Sequence, residues 1–271
     1  MRLHTTTWGE GDRLALLIHG IMADHRTWRR VGPALAERGY RVLAVDLRGH
    51  GVSGRASSYT ARDHARDVVE TLPAGAELAM GHSLGGLVLS LAVRELAPAR
   101  AVYVDPAWRL AQGPDGFRPE RFTRAKQLTR AMVRSVNPRW TDEDLDAEMA
   151  ALELWDESTA YGLAELTGRD LLPAAPVVPS LVPLADPSTL VPAERAALLR
   201  GRGFEVRTVA GTGHCVHRDD FDGFMASLEG WIHPGTGGGT GSPGPADTAG
   251  AIDTAGAIDA AGPADPVGPV G

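Results

Sequence analysis

The sequence predicts an α/β fold: a mostly parallel central sheet flanked by helices, with an inserted helical lid. Three observations predict it. Short continuous apolar runs alternate with helix-period segments from residue 1 to about 106, the pattern of strands buried on both faces. The alternation stops between 107 and 173, where only helical patterns remain. It resumes from 174 to 234. With 271 residues and 43% hydrophobic content, the chain can build one sizeable core with a lid.

The elements follow in order. Leu14 to His19 is the first strong strand, after the turn at Gly11-Asp12. Trp28 to Arg38 reads as a helix ended by Gly39, and Tyr40 to Val45 as the next strand. Ala61 to Leu72 is helical, and Glu77 to Met80 is a strand. Leu84 to Leu96 is a helix and Ala101 to Val104 a strand. In the insertion, Phe122, Ala125, Thr129, Met132 and Val136 recur three or four apart, as do Leu145, Met149 and Leu152, so each helix has one apolar face. Leu181 to Ala185 and Glu205 to Val209 are the last strands, and Phe221 to Trp231 the last helix. Pro176, Pro179 and Pro183 remove ladder donors, so the strand near Leu181 is expected to be short or to begin late.

The tail from 235 to 271 has no aromatic residue, Lys or Arg, and from Asp247 it repeats every six residues (DTAGAI, DTAGAI, DAAGPA, DPVGPV). Its Gly, Pro, Ala and Asp content is expected to be disordered. The chain's net charge of -7 argues against nucleic acid as a partner. Without the four tail aspartates the remainder is only modestly acidic. One cysteine, Cys215, excludes an intrachain disulfide framework. No apolar run approaches 18 residues, so no membrane partner is expected. The N-terminus has no apolar signal region, which makes a cytoplasmic protein the expectation.

Gly81-His82-Ser83-Leu84-Gly85 lies between a strand and a helix. This setting turns a weak pentapeptide into a nucleophile elbow, with Ser83 at the apex of a sharp turn. A serine hydroxyl needs a base, and the base needs an acid that fixes its tautomer. His214, in the glycine-flanked loop after Glu205 to Val209, is the preferred base, and His217 is a weaker rival. Asp186, just past the strand at Leu181, is the preferred acid. Asp105, just past the strand at Ala101, is the alternative. The order Ser83, Asp186, His214 matches the order associated with this elbow. The oxyanion hole is expected from the backbone N–H groups of Leu84 and Ile21, with Met22 next. His19 is read as orienting that loop, and His82 as packing. Trp108, Trp140, Trp155 and Met22 are candidates for an apolar substrate pocket. The histidines are scattered without a metal-ligand motif, so no metal and no cofactor are expected.

The segments Leu17-Ile18-His19-Gly20, Asp46-Leu47-Arg48-Gly49-His50-Gly51-Val52-Ser53, Gly81 to Gly86, Ala185-Asp186-Pro187-Ser188 and Gly211-Thr212-Gly213-His214 together resemble the α/β-hydrolase superfamily. The likeness is to its lidded serine esterase, lactonase and haloperoxidase-like members, over about residues 9 to 232. It implies Ser83 as nucleophile, His214 as general base, Asp186 or Asp105 as acid, and Ile21 and Leu84 as the hole. The expected activity is hydrolysis of a small-molecule acyl substrate (a carboxylic ester, lactone or thioester) through an acyl-enzyme. An aspartate at position 83 would instead have pointed to a dehalogenase or epoxide hydrolase. The alternatives are a catalytically silent protein binding a hydrophobic ligand on the same fold, or a C–C bond hydrolase.

Overall fold

The computed structural model describes residues 1–111 and 117–232. The tail from 235 to 271 lies outside the described residues, as do positions 112–116 of the insertion.

Seven strands form one sheet: β1 (Thr5–Trp8), β2 (Arg13–Ile18), β3 (Tyr40–Val45), β4 (Leu78–His82), β5 (Arg100–Val104), β6 (Ser180–Leu184) and β7 (Glu205–Thr208). Their order is β1-β3-β2-β4-β5-β6-β7. Only β1 runs antiparallel to its neighbour, pairing Thr5 with Val45 and Trp8 with Val42. The helices are α1 (Val31–Ala36), α2 (Ala61–Thr71), α3 (Leu84–Leu96), α4 (Pro119–Thr123), α5 (Arg130–Val136), α6 (Asp142–Leu154), α7 (Ser158–Gly162), α8 (Ala193–Gly201), α9 (Val216–Asp219) and α10 (Phe221–Ser227).

Strand periodicity splits the core into two layers. Leu16, Ile18, Ala79, Ala101 and Tyr103 face one side, with Val68 of α2, Val88 of α3 and Leu199 of α8. Ala15, Leu17, Leu78, Met80, Val102 and Val104 face the other, with Leu35 of α1, Val216 of α9 and Phe224 of α10. The middle strands are apolar over Leu14–Ile18, Leu78–Met80 and Ala101–Val104 because both faces are covered.

The clearest differences from the sequence expectation are β1 and the first helix, while β6 is short, as its prolines imply. The threonine-rich β1 is an added edge strand, which suits β-branched residues. The expected helix at Trp28 to Arg38 is shorter: a 3-10 turn at His25–Trp28 precedes α1, which begins at Val31. Pro33 has no N–H, so it fits only within a first helical turn. β6 starts at Ser180, directly after Pro179, whose carbonyl still accepts from Ala101 N–H at 3.0 Å.

Between β5 and β6 the chain leaves the sheet and forms α4 to α7. Isolated bridges join Arg109 with Asp170 and Leu110 with Thr167 at the base of this insertion. Arg29 pairs with Asp144 at 2.8 Å and Arg218 with Glu148 at 2.6 Å. Asp156 N–H donates to Gly49 O at 2.7 Å. The insertion is therefore anchored to the loops that follow β2, β3 and β7, at the C-terminal ends of the parallel strands. Among the described residues no helix is long and apolar enough to cross a membrane.

Candidate active site

The elbow forms where β4 ends and α3 begins. Ser83 has φ +52° and ψ −116°, a conformation that costs about 1–3 kcal/mol for a non-glycine residue. Its N–H donates to Val104 O at 3.0 Å. Its carbonyl accepts from Gly86 and Leu87 N–H in the first turn of α3 and from Ala107 N–H. The turn is this sharp because its glycines allow it. A Cβ on Gly81 would lie 2.3 Å from Gly85 O, and one on Gly85 would lie 2.2 Å from Ile18 O. Leu84 is the first residue of α3, so its N–H belongs to the turn that has no intrahelical acceptor.

The loop after β2 passes beside the serine. A Cβ on Gly20 would meet Ser83 Cβ at 3.1 Å. His19 holds this loop as expected: Nδ1 donates to Gly20 O at 2.7 Å, and Nε2 accepts from Leu47 N–H at 2.9 Å. That pairing fixes the neutral Nδ1–H tautomer, and burial lowers the His19 pKa. Met22 closes the turn at φ +66°.

His214 follows β7 in a loop tied down at several points. Thr212 O accepts from Asp186 N–H at 3.0 Å, and Gly213 N–H donates to Asp219 Oδ2 at 2.7 Å. His82 Nε2 donates to His214 O at 2.9 Å, and the two rings lie 4.7 Å apart. His82 is buried, and desolvation pushes its pKa well down, so it is neutral.

The carboxylate on His214 belongs to Asp105. His214 Nδ1 donates to Asp105 Oδ2 at 2.7 Å. Asp105 is 1% exposed and stands at φ +39°, directly after β5. The expectation that Asp186 occupies this place is corrected: its side chain is exposed, and only its backbone N–H meets the His214 loop. The reason is register. His82 pairs with Val104 across β4 and β5, so the next residues, Ser83 and Asp105, leave the sheet side by side. Asp186 leaves one strand further from the elbow. With Nδ1 donating to Asp105, the neutral His214 ring has its acceptor at Nε2.

The rival His217 is buried, stacks on Trp28 at 4.6 Å and shares a 2.9 Å hydrogen bond with Thr27 Oγ1. Desolvation pushes the Cys215 thiol far above its ordinary value, which favours its protonated form.

The four pocket candidates separate. Met22, Trp108 and Trp155 join the main apolar cluster, with Trp108 against Tyr103 and Phe204. Trp155 Nε1 donates to Thr159 Oγ1 at 2.6 Å. Trp140 lies in a separate cluster with Val133 and Leu145, and its Nε1 donates to Asp219 Oδ1 at 2.7 Å. Sequence reasoning missed Asp219, which bridges the insertion to Gly213 and so to the His214 loop. Nothing in the local sequence marks it apart from its nearness to His214. Trp140→Phe keeps an aromatic ring but removes the donor and part of the buried indole, so it is expected to cost about 1–3 kcal/mol of stability. Relative rates across a panel of esters and lactones should stay unchanged. Urea unfolding and the rate ratios check this, and a changed ratio would put Trp140 in the pocket.

Histidines scattered in sequence do gather in space. His4, His25 and Asp46 bring one ligand atom each within 4.8 Å of one another.

The description "Alpha/beta hydrolase family" belongs to a family model that matches residues 15–226, and the chain belongs to that family. It is 35% identical over 136 residues to the pimeloyl-acyl-carrier-protein methyl ester esterase of Sodalis glossinidius, covering 48% of this chain and 52% of that protein. The chain thus spans about half the length of that curated relative. Among solved structures, the enol-lactonase of Burkholderia xenovorans superposes with a TM-score of 0.67 at 25% identity, covering 83% of this chain and 94% of that one. The N-formylmaleamic acid deformylase of Pseudomonas putida superposes at 0.71 with 22% identity, covering 83% and 95%, a likeness of fold.

Proposed function

We propose that this protein is a serine hydrolase that cleaves a small carboxylic ester, lactone or thioester through an acyl-enzyme. The observation that carries this reading is the 2.7 Å hydrogen bond from His214 Nδ1 to buried Asp105, on the loops that flank the Ser83 elbow. In this reading Ser83 Oγ attacks the acyl carbon while His214 Nε2 takes its proton. Asp105 holds the ring and stabilises the imidazolium. The N–H groups of Leu84 and Ile21, with Met22 next, receive the oxyanion. His214 then returns the proton to the leaving alcohol or thiol, and water repeats the cycle on the acyl-enzyme. The insertion of α4 to α7 acts as the lid that selects the acyl group. The methyl ester esterase and the enol-lactonase that this chain resembles are in keeping with that substrate class.

The test is active-site labelling. A fluorophosphonate is expected to add to one residue, mapped by peptide mass to Ser83, and to leave folded Ser83→Ala unlabelled. Short-chain p-nitrophenyl esters, lactones and acyl thioesters should then rank the substrates. A folded wild-type protein that takes no label and cleaves none of them would instead be a silent binder of hydrophobic ligands.

A further inference from the structure

His4, His25 and Asp46 meet because of the sheet edge. His4 precedes β1, and the antiparallel pairing of Thr5 with Val45 carries it to Asp46, whose N–H donates to His4 O at 3.0 Å. His25 opens the 3-10 turn after the loop that passes Ser83. Its N–H donates to Asp46 Oδ1 at 2.8 Å. His25 Nδ1 lies 2.8 Å from Asp46 Oδ1, and His4 Nδ1 lies 3.0 Å from Asp46 Oδ2.

We propose that these three side chains form a binding site for a transition-metal dication of the zinc class, with water completing the coordination. Two imidazole nitrogens and one carboxylate oxygen are a donor set suited to zinc, cobalt, nickel or copper and not to magnesium or calcium. A tetrahedral ion with bonds of about 2.0–2.1 Å keeps its ligand atoms about 3.3 Å apart. The contacts of 2.8 and 3.0 Å run to the two different oxygens of Asp46 and open by a few tenths of an ångström, while the two imidazole nitrogens, within 4.8 Å of each other, settle at about 3.3 Å. The ion replaces the hydrogens that now lie between each Nδ1 and the carboxylate.

The carboxylate is oriented before any ion arrives. Its side chain is fully buried and accepts N–H bonds from His25 and, at 3.0 Å, Val52. Such outer bonds fix a ligand's direction and are worth 10- to 100-fold in metal affinity. The imidazoles supply the access: the His4 side chain is 37% exposed and that of His25 18%. An ion here clamps the chain ahead of β1 to the far end of the Gly20–Asp24 loop. It lies outside the acyl chemistry and stiffens the loop that carries Ile21 and Met22.

The rival is a proton clasp, in which both histidines only donate Nδ1–H to Asp46. His4→Gln and His25→Gln separate the two, because glutamine keeps a donor but loses the imidazole. Tag-free, chelator-treated protein is titrated with Zn2+ by calorimetry and with Co2+ by visible absorption. Circular dichroism establishes that each variant is folded. The expected result is one ion per chain in the wild type, with a Co2+ ligand-field band. Each glutamine variant should bind at least about tenfold more weakly, and the double variant should not bind. No uptake by the wild type, or unchanged affinity in either single variant, overturns the site. Neither readout depends on hydrolytic activity, so failure here and failure of the proposed function are distinguishable.

Discussion

Asp105→Asn is expected to lower kcat for ester cleavage by on the order of 10⁴-fold, as the equivalent change does in a serine protease. Asp186→Asn should stay near wild type. Asparagine keeps the volume of Asp105 but can offer its NH2 to His214 Nδ1. That contact would favour the Nε2–H tautomer, in which the nitrogen needed as base already carries a proton. It also removes the negative charge that stabilises the imidazolium. Asp186 has neither role in the structure, since its side chain is exposed and its tie to the His214 loop is a backbone N–H. Ser83→Ala sets the floor. Because groups that act as a unit are not additive, Ser83→Ala combined with Asp105→Asn should be no slower than Ser83→Ala alone. Steady-state rates for the four proteins decide the matter. A crippled Asp186→Asn beside an active Asp105→Asn would reverse the acid assignment and leave the fold intact.

Acidification below pH 6.5 is expected to unfold the protein steeply. His19, His50, His64, His82 and His217 are all buried. Desolvation lowers the pKa of each, that of His64 to about 3. In the unfolded chain each binds a proton near pH 6.5, whereas the folded chain binds it only at lower pH. The unfolded state thus holds more protons in this window, and stability falls as pH falls. Each histidine contributes at most about 1.4 kcal/mol per pH unit, so five acting together approach about 7. Typical stabilities of about 5–15 kcal/mol would be spent within one or two units.

His25 has the opposite sign. Burial disfavours its charge, but Asp46 outweighs that and raises its pKa. Its contribution is complete below pH 6.5 and is lost as pH rises through the raised value, so it does not flatten the acid limb. The lowered carboxylates Asp46 and Asp67 contribute above the ordinary carboxylate pKa and lose that contribution only at lower pH still. Urea midpoints at pH 7, 6 and 5 test the slope. His64→Leu should reduce it by one proton, since neither ring nitrogen has a hydrogen-bond partner to lose. An unchanged midpoint between pH 7 and pH 5 would mean that these histidines are not neutral in the fold.

Most of the architecture was legible because it rests on local patterns. Tyr40–Val45 and Leu84–Leu96 have the ends that apolar runs and glycine positions imply. The sharp turn at Ser83 was legible for the same reason, since it needs small residues close by in sequence. The partner of His214 was not. Asp105 and Asp186 both follow a strand and both precede proline, so local chemistry cannot rank them. Their difference lies in strand order, a long-range property. The meeting of His4, His25 and Asp46 was hidden for a similar reason, because it depends on an edge strand that four unremarkable residues form.

The bridges at Leu110 and Thr167 have a consequence for how such a protein can diversify. The chain leaves and re-enters the sheet at nearly one point, so the insertion is a closed loop grafted onto a finished frame. Closing a longer loop costs little, about 0.6 kcal/mol for each doubling of length. Helices can be lengthened, shortened or exchanged above that neck while the strands beneath keep their register. Under the proposed function, in which the insertion selects the acyl group, substrate preference and bond-making are two nearly independent traits, inherited in one gene but revised separately.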